Sequence, residues 1–153
     1  MPLRFSKLNI SFVTESYKDT FNLGLSFAKG RIEQLKNEKV FFLYGELGSG
    51  KTTFVRGFCS NFGLENYVSS PSFTIVNEYN SNNVSIAHID LYRIKSKEEL
   101  EETGIFEIIT SYSYIFVEWP EILSDFITKN VVKITFEYGE NENQRIIRVD
   151  FEN

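Results

Sequence analysis

The residues from Gly45 to Thr52 form a glycine-rich segment that is suited to binding a polyphosphate. Their sequence, GELGSGKT, fills the pattern G-x-x-x-x-G-K-[ST] at every fixed position. Glycine lets the backbone fold closely around phosphates, and consecutive N–H groups at a helix N-terminus supply fixed positive partial charge. Lys51 is then placed to reach the terminal phosphates, and the Thr52 hydroxyl is placed to hold Mg²⁺.

Two acids that end apolar segments are candidates for the rest of such a site. Asp90 follows Val84–Ile89, and Glu118 follows Tyr114–Val117. Because ligands gather at the carboxyl ends of strands in open α/β sheets, both carboxylates are expected beside the glycine-rich segment. Phosphoryl transfer needs one acid near the metal and another group that orients the attacking water. The residues alone do not divide these roles between Asp90 and Glu118.

Several neighbouring residues allow more than one interpretation. The segment 70–74 carries three hydroxyls, which suit either a loop that senses a γ-phosphate or an ordinary turn. His88 would share a strand face with Asp90, and it is interpreted as a packed or hydrogen-bonded core residue rather than a catalytic one. Arg93 could stabilise transition-state charge or cap a loop. Trp119 could stack on a base or a partner, or anchor its own loop in the core.

The elements that must position these residues follow in the required order. The apolar segment Val40–Tyr44 predicts a strand that is buried on both faces. After the glycines, apolar residues at helical spacing predict a helix that stops near Gly63. These residues are Phe54, Val55, Phe58, Cys59 and Phe62.

The regions on either side alternate between the two periodicities. Residues 5–13 are predicted to form a strand, followed by an amphipathic helix that starts near Ser16 and whose apolar positions continue to Leu35. Strands are predicted at 73–79 and 84–90 around a turn at 80–83, and an antiparallel pair at 131–138 and 145–151. Ser96 with Glu99 forms a capping-box sequence, and Pro120 suits the first turn of a helix. The pattern predicts an α/β fold with a mixed sheet.

Composition limits the functional class. The 153 residues favour one domain, and the net charge of −5 argues against a protein that binds nucleic acid by itself. The lone cysteine, Cys59, is predicted to be a buried thiol. There is no signal-peptide pattern and no apolar stretch of membrane-spanning length, so we expect a cytoplasmic protein that makes no membrane contact.

Four motifs in this order and spacing resemble the TsaE family, formerly YjeE. They are GELGSGKTT at 45–53, SPSFTIVNEY at 70–79, HIDLYR at 88–93 and VEWPE at 117–121. The resemblance runs from about Thr14 to the closing strands. It implies a single P-loop ATPase domain over 1–153, with a three-layer P-loop NTPase-like fold. The central sheet is expected to be mixed and mainly parallel, with antiparallel hairpin strands.

The resemblance also implies an activity. The family's members are weak Mg²⁺-dependent ATPases that are required to form the threonylcarbamoyl group on the adenosine next to the anticodon of tRNAs. These tRNAs read codons that begin with adenine. The implied partners are TsaB and TsaD, with tRNA contacted only indirectly through the complex, and the implied cofactors are ATP and Mg²⁺.

Matching motifs assign roles to individual residues by resemblance. Lys51 matches the phosphate-binding lysine, Thr52 and Glu118 match the Mg²⁺ ligands, and Asp90 matches an acid needed for activity. The nucleotide-binding set implied by the family is Gly45, Gly48, Ser49, Gly50, Lys51, Thr52, Thr53, Tyr17 and Gln144. The last two of these lie outside clear motifs. Ser72 stands where the family usually has threonine, and it keeps the hydroxyl.

Three alternative functions can be weighed against this one, and two of them, the kinase and the interaction module, remain open. A small-molecule kinase would use a basic lid, which Arg93, Lys95 and Lys97 could supply. A guanine-nucleotide switch normally carries an N-K-x-D element, and this sequence has none. A nucleotide-dependent interaction module would act through its ATP-bound shape rather than through turnover.

Overall fold

The structure is a computed structural model and describes residues 7–152. Within that range the strands are β1 (Lys7–Thr14), β2 (Val40–Tyr44), β3 (Val76–Ser81), β4 (Val84–Asp90), β5 (Tyr114–Glu118), β6 (Val131–Tyr138) and β7 (Arg145–Glu152). The helices are α1 (Tyr17–Ala28), α2 (Lys51–Ser60), α3 (Lys97–Glu102), α4 (Ile105–Ser111) and α5 (Glu121–Ser124). Short 3₁₀ turns lie at Glu33–Leu35 and Glu65–Tyr67.

The strands of the described chain form one sheet in the order β1-β7-β6-β2-β5-β4-β3. The central strands β6, β2, β5 and β4 are mutually parallel. Antiparallel pairing adds β7 and then β1 at one side, and β3 at the other. The predicted α/β class with a mixed, mainly parallel sheet is confirmed. Since four parallel strands end on one edge, the residues that follow them are brought together there.

The sheet is covered on both faces, which gives three layers. Phe41 and Leu43 of β2 point into the cluster that contains Phe27 of α1 and Phe54 of α2. The alternate β2 residues Val40 and Phe42 pack in a second cluster with the helices α3, α4 and α5. Burial on both faces explains why β2 is a continuous apolar run rather than an alternating one.

The helices α1 and α2 approach each other through two glycines. A Cβ atom at Gly24 would lie 2.0 Å from the Phe54 carbonyl oxygen, and one at Gly57 would lie 1.9 Å from the Phe21 carbonyl oxygen. Neither distance is compatible with a side chain, so this crossing requires glycine at both positions. The contact holds α2 in place against α1.

The predicted apolar face of α2 is buried in the core beneath the sheet. Phe54, Val55, Phe58 and Cys59 are all inaccessible or nearly so. Burial, with a smaller contribution from Glu65, raises the pKa of the Cys59 thiol to about 12. The thiol is therefore protonated at neutral pH, as the prediction of a core cysteine requires.

Two predicted boundaries were wrong. The first helix ends at Ala28 because Gly30 adopts a left-handed φ of 68°, and the apolar positions up to Leu35 belong to a separate 3₁₀ turn. The strand predicted from residue 73 starts at Val76, because Ile75 has a φ of 67° and closes a turn onto Pro71. The hairpin turn is also shorter than predicted, because β3 continues to Ser81 and pairs there with Val84.

Other local predictions hold with small differences. Ser96 caps α3 by accepting from the Glu99 N–H, but Glu99 reaches back to the N–H of Lys95 rather than that of Ser96. Helix α4 was not predicted. The first two residues of the predicted 5–13 strand lie outside the described residues.

No helix within residues 7–152 combines the length and apolar character needed to cross a bilayer.

Candidate functional site

The glycine-rich segment connects the carboxyl end of β2 to the first residue of α2. Gly45, Gly48 and Gly50 have φ values of 151°, 79° and 110°, which place them in backbone conformations that L side chains rarely adopt. A Cβ atom at Gly45 would also lie 2.6 Å from Ser49 Oγ. The loop can therefore take this path only with glycine at the motif positions.

The sheet register brings the two candidate acids together. Asp90, the last residue of β4, pairs with Glu118, the last residue of β5. Glu118 in turn pairs with Leu43 of β2, one residue before the end of that strand. Both acids lie on the face of the sheet that packs against α1 and α2, because they continue the alternation of Ile86 and Phe116.

The acids and the glycine-rich loop line one cavity of about 520 Å³. Its lining includes most of the predicted site residues. They are Gly48, Gly50, Lys51, Thr52, Thr53, Asp90 and Glu118. Glu46, Leu47, Ser70, Ser72, Tyr92, Arg93 and Trp119 complete the wall.

Lys51 is a buried residue in the wall of this cavity. Its Nζ donates to the Gly45 carbonyl, lies 3.9 Å from Glu118 Oε1, and lies 4.5 Å from the centre of the Trp119 ring. Burial lowers the pKa of Lys51, and the neighbouring carboxylate of Glu118 opposes that shift. These contacts hold the ammonium group in a fixed position.

The two carboxylates are held by different partners. Asp90 Oδ1 accepts a hydrogen bond of 2.8 Å from the Tyr92 N–H. Burial raises the pKa of Asp90, and the Tyr92 hydrogen bond partly offsets this effect. Glu118 Oε2 lies 2.6 Å from Nε2 of His88, which is fully buried. The interpretation of His88 as a packed, hydrogen-bonded residue is confirmed, and its partner is a candidate metal ligand.

The rim of the cavity carries aromatic and basic side chains. Trp119 has a φ of 52° and packs against Tyr92 with ring centres 5.0 Å apart. Arg93 stacks on the exposed Phe73 ring at 4.8 Å. A left-handed φ at tryptophan is uncommon and is found where the surroundings impose it, which marks this turn as part of a constrained site.

Two contacts that hold the apex of the glycine-rich loop were not predicted. The Tyr138 hydroxyl donates to the Leu47 carbonyl at 2.8 Å, and Arg145 Nη2 donates to the Gly48 carbonyl at 3.3 Å. The Arg145 guanidinium also lies 4.4 Å from the Tyr138 ring centre. No local signal could reveal these contacts, because they depend on β6 lying next to β2 in the sheet.

Four predicted residues do not line the cavity wall. Ser49 is buried beneath the loop. Tyr17 is the first residue of α1, and its hydroxyl accepts from Arg56 at 2.8 Å. Gln144 lies in the β6–β7 turn and donates to Glu15 at 3.0 Å. Gly45 contributes its carbonyl to the Lys51 contact.

Within residues 7–152, no group of three or more His, Cys, Asp or Glu side chains is arranged to hold a metal ion. The oxygen-bearing side chains that line the cavity include the Thr52 hydroxyl and the carboxylates of Asp90 and Glu118. This donor set is of the kind that Mg²⁺ prefers when phosphates and water supply its other ligands.

Comparison with known proteins agrees with the geometry. The sequence profile described as "Threonylcarbamoyl adenosine biosynthesis protein TsaE" matches residues 14–147. The tRNA threonylcarbamoyladenosine biosynthesis protein TsaE of Borreliella burgdorferi is 40% identical over 73% of this chain and 82% of its own length. The protein of the same name from Rickettsia typhi is 36% identical over 90% of this chain and 92% of its own.

A solved structure is also similar. The crystal structure of Bacillus subtilis YdiB superposes with a TM-score of 0.73 at 23% identity, covering 97% of this chain and 88% of that one. This likeness supports the fold. The profile match and the sequence relatives together show that the chain belongs to the TsaE family of threonylcarbamoyl adenosine biosynthesis proteins.

Proposed function

We propose that this protein is a Mg²⁺-dependent ATPase that serves the formation of threonylcarbamoyladenosine in tRNA. The observation that carries the proposal is the cavity in which Lys51, Thr52, Asp90 and Glu118 meet. A glycine loop at a helix N-terminus supplies the cradle for phosphates, and the strand ends supply the acids. Both parts are needed for phosphoryl transfer, and a simple phosphate-binding turn would need only the first.

A buried polar atom beneath the loop supports a ligand of this chemistry. Ser49 Oγ is buried and has no hydrogen-bond partner among the described residues. Buried hydroxyls are normally hydrogen-bonded, because leaving one unpaired costs about 1–3 kcal/mol. Rearrangement of the loop around phosphate oxygens would give this hydroxyl an acceptor, which fits a nucleotide-binding state.

The chain's own residues define a route for hydrolysis. Lys51 neutralises charge on the β and γ phosphates, and Mg²⁺ held by Thr52 and Glu118 supplies further charge neutralisation when it is bound. Water attacks the γ-phosphorus, and the bond to the oxygen that bridges the β and γ phosphates breaks to give ADP and phosphate. Asp90 orients the water and accepts its proton, since the Tyr92 N–H fixes the direction of its carboxylate.

We further propose that TsaB and TsaD are the partners and that the protein acts in the cytoplasm. Leu47, Phe73 and Tyr92 are 85%, 83% and 59% exposed around the cavity, which suits a contact with another protein at the nucleotide site. The net charge of −5 favours indirect rather than direct contact with tRNA.

The test compares phosphate release from ATP with and without Mg²⁺, and with and without a TsaB–TsaD complex. We expect slow Mg²⁺-dependent release by the chain alone and faster release in the complex. ATP binding without any turnover would favour an interaction module. Turnover that depends on a small-molecule acceptor, with no stimulation by TsaB–TsaD and no co-elution, would favour the kinase alternative.

A further inference from the structure

Two buried side chains, His88 and Tyr79, connect Glu118 to the loop at Ser69. His88 Nε2 lies 2.6 Å from Glu118 Oε2, and His88 Nδ1 lies 3.1 Å from the Tyr79 hydroxyl. The Tyr79 hydroxyl contacts both backbone polar groups of Ser69. Its oxygen lies 3.2 Å from the Ser69 nitrogen and 3.1 Å from the Ser69 carbonyl oxygen. The proposed reaction assigns no task to His88 or Tyr79.

The direction of each hydrogen bond follows from the acceptor at the end. A carboxylate only accepts, so His88 Nε2 donates to Glu118. With the imidazole neutral, Nδ1 accepts from the Tyr79 hydroxyl, whose oxygen accepts from the Ser69 N–H. The Ser69 carbonyl still has a donor, because Asn77 Nδ2 lies 3.1 Å away. The bonds from the Ser69 N–H to Tyr79, from Tyr79 to His88 and from His88 to Glu118 all point toward Glu118, and each strengthens the next.

This chain determines how Glu118 faces the cavity. With Oε2 held by His88, Oε1 is the oxygen on the Lys51 side, at 3.9 Å from Nζ. A carboxylate without the histidine could rotate and present either oxygen. Partners that hold a metal ligand through its second polar atom typically change metal affinity or activity by about 10–100-fold when they are removed.

The other end of the chain reaches a segment that lines the same cavity. Ser70 and Ser72 lie one and three residues after Ser69 and form part of the wall, with their hydroxyls 2.7 Å apart. The loop ends at Ile75, whose left-handed φ of 67° is strained for a β-branched residue. The loop is therefore held at Ser69 by Tyr79 and constrained at Ile75 by the turn before β3.

We propose that His88 and Tyr79 are positioning residues for nucleotide hydrolysis, which fix the Glu118 carboxylate and couple it to the loop at Ser69. The inference rests on the proposed ATPase function. It predicts that the two residues affect the metal-dependent step, while nucleotide affinity without metal is set by the glycine loop and Lys51.

The experiment uses the full chain and four variants. His88→Leu removes the donor to Glu118 and keeps a side chain of moderate size, whereas His88→Gln offers an amide N–H in its place. Tyr79→Phe removes only the hydroxyl. Tyr112→Phe is the matched control, because its hydroxyl is also hydrogen-bonded, to Glu78, but lies outside the cavity wall.

Four quantities are measured for each protein. They are kcat and KM for Mg-ATP, the affinity of the ADP-bound form for Mn²⁺ by electron paramagnetic resonance, and the affinity for ATP without metal by calorimetry. We expect His88→Leu to lower kcat and Mn²⁺ affinity by about 10–100-fold, with metal-free ATP affinity within about 2-fold of wild type. His88→Gln should recover most of the loss. Tyr79→Phe should lower kcat by about 3–10-fold and speed hydrogen exchange at residues 69–72, while Tyr112→Phe should match wild type.

The contrary results are distinct from failure of the proposed function. Wild-type kcat and Mn²⁺ affinity in His88→Leu would overturn the inference, as would equal losses in the leucine and glutamine variants. A parallel loss of metal-free ATP affinity would show a merely structural role. If His88→Leu does not fold, unchanged kinetics in Tyr79→Phe overturn the inference. A wild-type protein that neither binds nor hydrolyses ATP would refute the proposed function itself.

Discussion

Lys51 Nζ and Glu118 Oε1 lie 3.9 Å apart, with both side chains only 5% exposed. The Glu118 carboxylate is a nearby negative charge that balances the Lys51 ammonium, and both side chains are shielded from bulk water. Removing either partner leaves an uncompensated buried charge, which costs more than the pair itself contributes. The pair therefore places a cation and an anion side by side in the cavity, an arrangement that suits the proposed magnesium–triphosphate ligand.

Replacing Lys51 by alanine is expected to weaken ATP binding by at least about 30-fold, close to 2 kcal/mol, because the fixed positive charge at the phosphates is lost. Calorimetric titration with ATP measures the effect. Lys133→Ala serves as the control, since Lys133 is an exposed lysine on β6. Wild-type affinity in the Lys51 variant would contradict the assignment of the phosphate site.

Glu118→Gln is expected to separate binding from turnover. The amide keeps the size of the side chain but loses the charge that would hold Mg²⁺, so phosphate release should fall by about 100-fold or more. ATP affinity measured without metal should change by only a few-fold. Glu107→Gln, on the exposed face of α4, is the matched control. Equal losses of affinity and turnover would show that Glu118 shapes the pocket rather than holding the metal.

The ionised form of Asp90 is predicted to lower the free energy of unfolding, so this effect depends on pH. Burial raises the pKa of Asp90 above its ordinary value of 3.8, so the folded state binds this proton more tightly than the unfolded state. Stability then falls as pH rises from the ordinary value through the raised pKa, and the cost is complete above it. Asp90→Asn should therefore raise Tm by a few degrees at pH 7 and lose phosphate release.

The pH series supplies the check on that assignment. The gain in Tm should shrink as pH falls and vanish below the ordinary pKa, where Asp90 is protonated in both states. The asparagine oxygen can still accept from the Tyr92 N–H, so the loop geometry is preserved. A Tm gain that is the same at all pH values would show that charge burial is not its cause.

The α1–α2 crossing is expected to tolerate no side chain at its two glycines. Gly24→Ala and Gly57→Ala would each place Cβ about 2 Å from a backbone carbonyl oxygen, which forces the helices apart. We expect a loss of at least about 2–3 kcal/mol in the free energy of unfolding, measured by urea denaturation. Gly63→Ala is the control, since its Cβ would meet nothing within 4 Å and only its φ of 72° is unfavourable. A loss no larger than that of the control would refute the close crossing.

The contact between Tyr138 and Leu47 is expected to contribute modestly to nucleotide affinity. Tyr138→Phe removes one hydrogen bond to the loop carbonyl, worth about 1 kcal/mol, so ATP affinity should fall by about 3–5-fold. Tyr67→Phe, at an exposed tyrosine in a 3₁₀ turn, should have no effect. Faster hydrogen exchange at residues 46–49 in the Tyr138 variant would confirm that the loop is loosened, and unchanged exchange would contradict it.

The glycine-rich loop and the elements on either side of it could be predicted because their signals are local. The sequence by itself determined the strand–loop–helix unit around Gly45–Thr52, since glycine conformation, apolar runs and helical spacing all act over a few residues. It also placed Asp90 and Glu118 at the ends of buried strands. Their meeting beside the loop could be expected because parallel strands end on a common edge.

Only the tertiary structure decided which side chains touch across the sheet. The contact of His88 with Glu118, the connection of Tyr79 to Ser69 and the support of the loop by Tyr138 all depend on strand order and register. These are set by the burial of apolar surface from segments that are far apart in the chain, which no short pattern records. The end of α1 and the start of β3 were mispredicted for the related reason that Gly30 and Ile75 adopt left-handed backbone conformations. Apolar spacing carries no information about that choice.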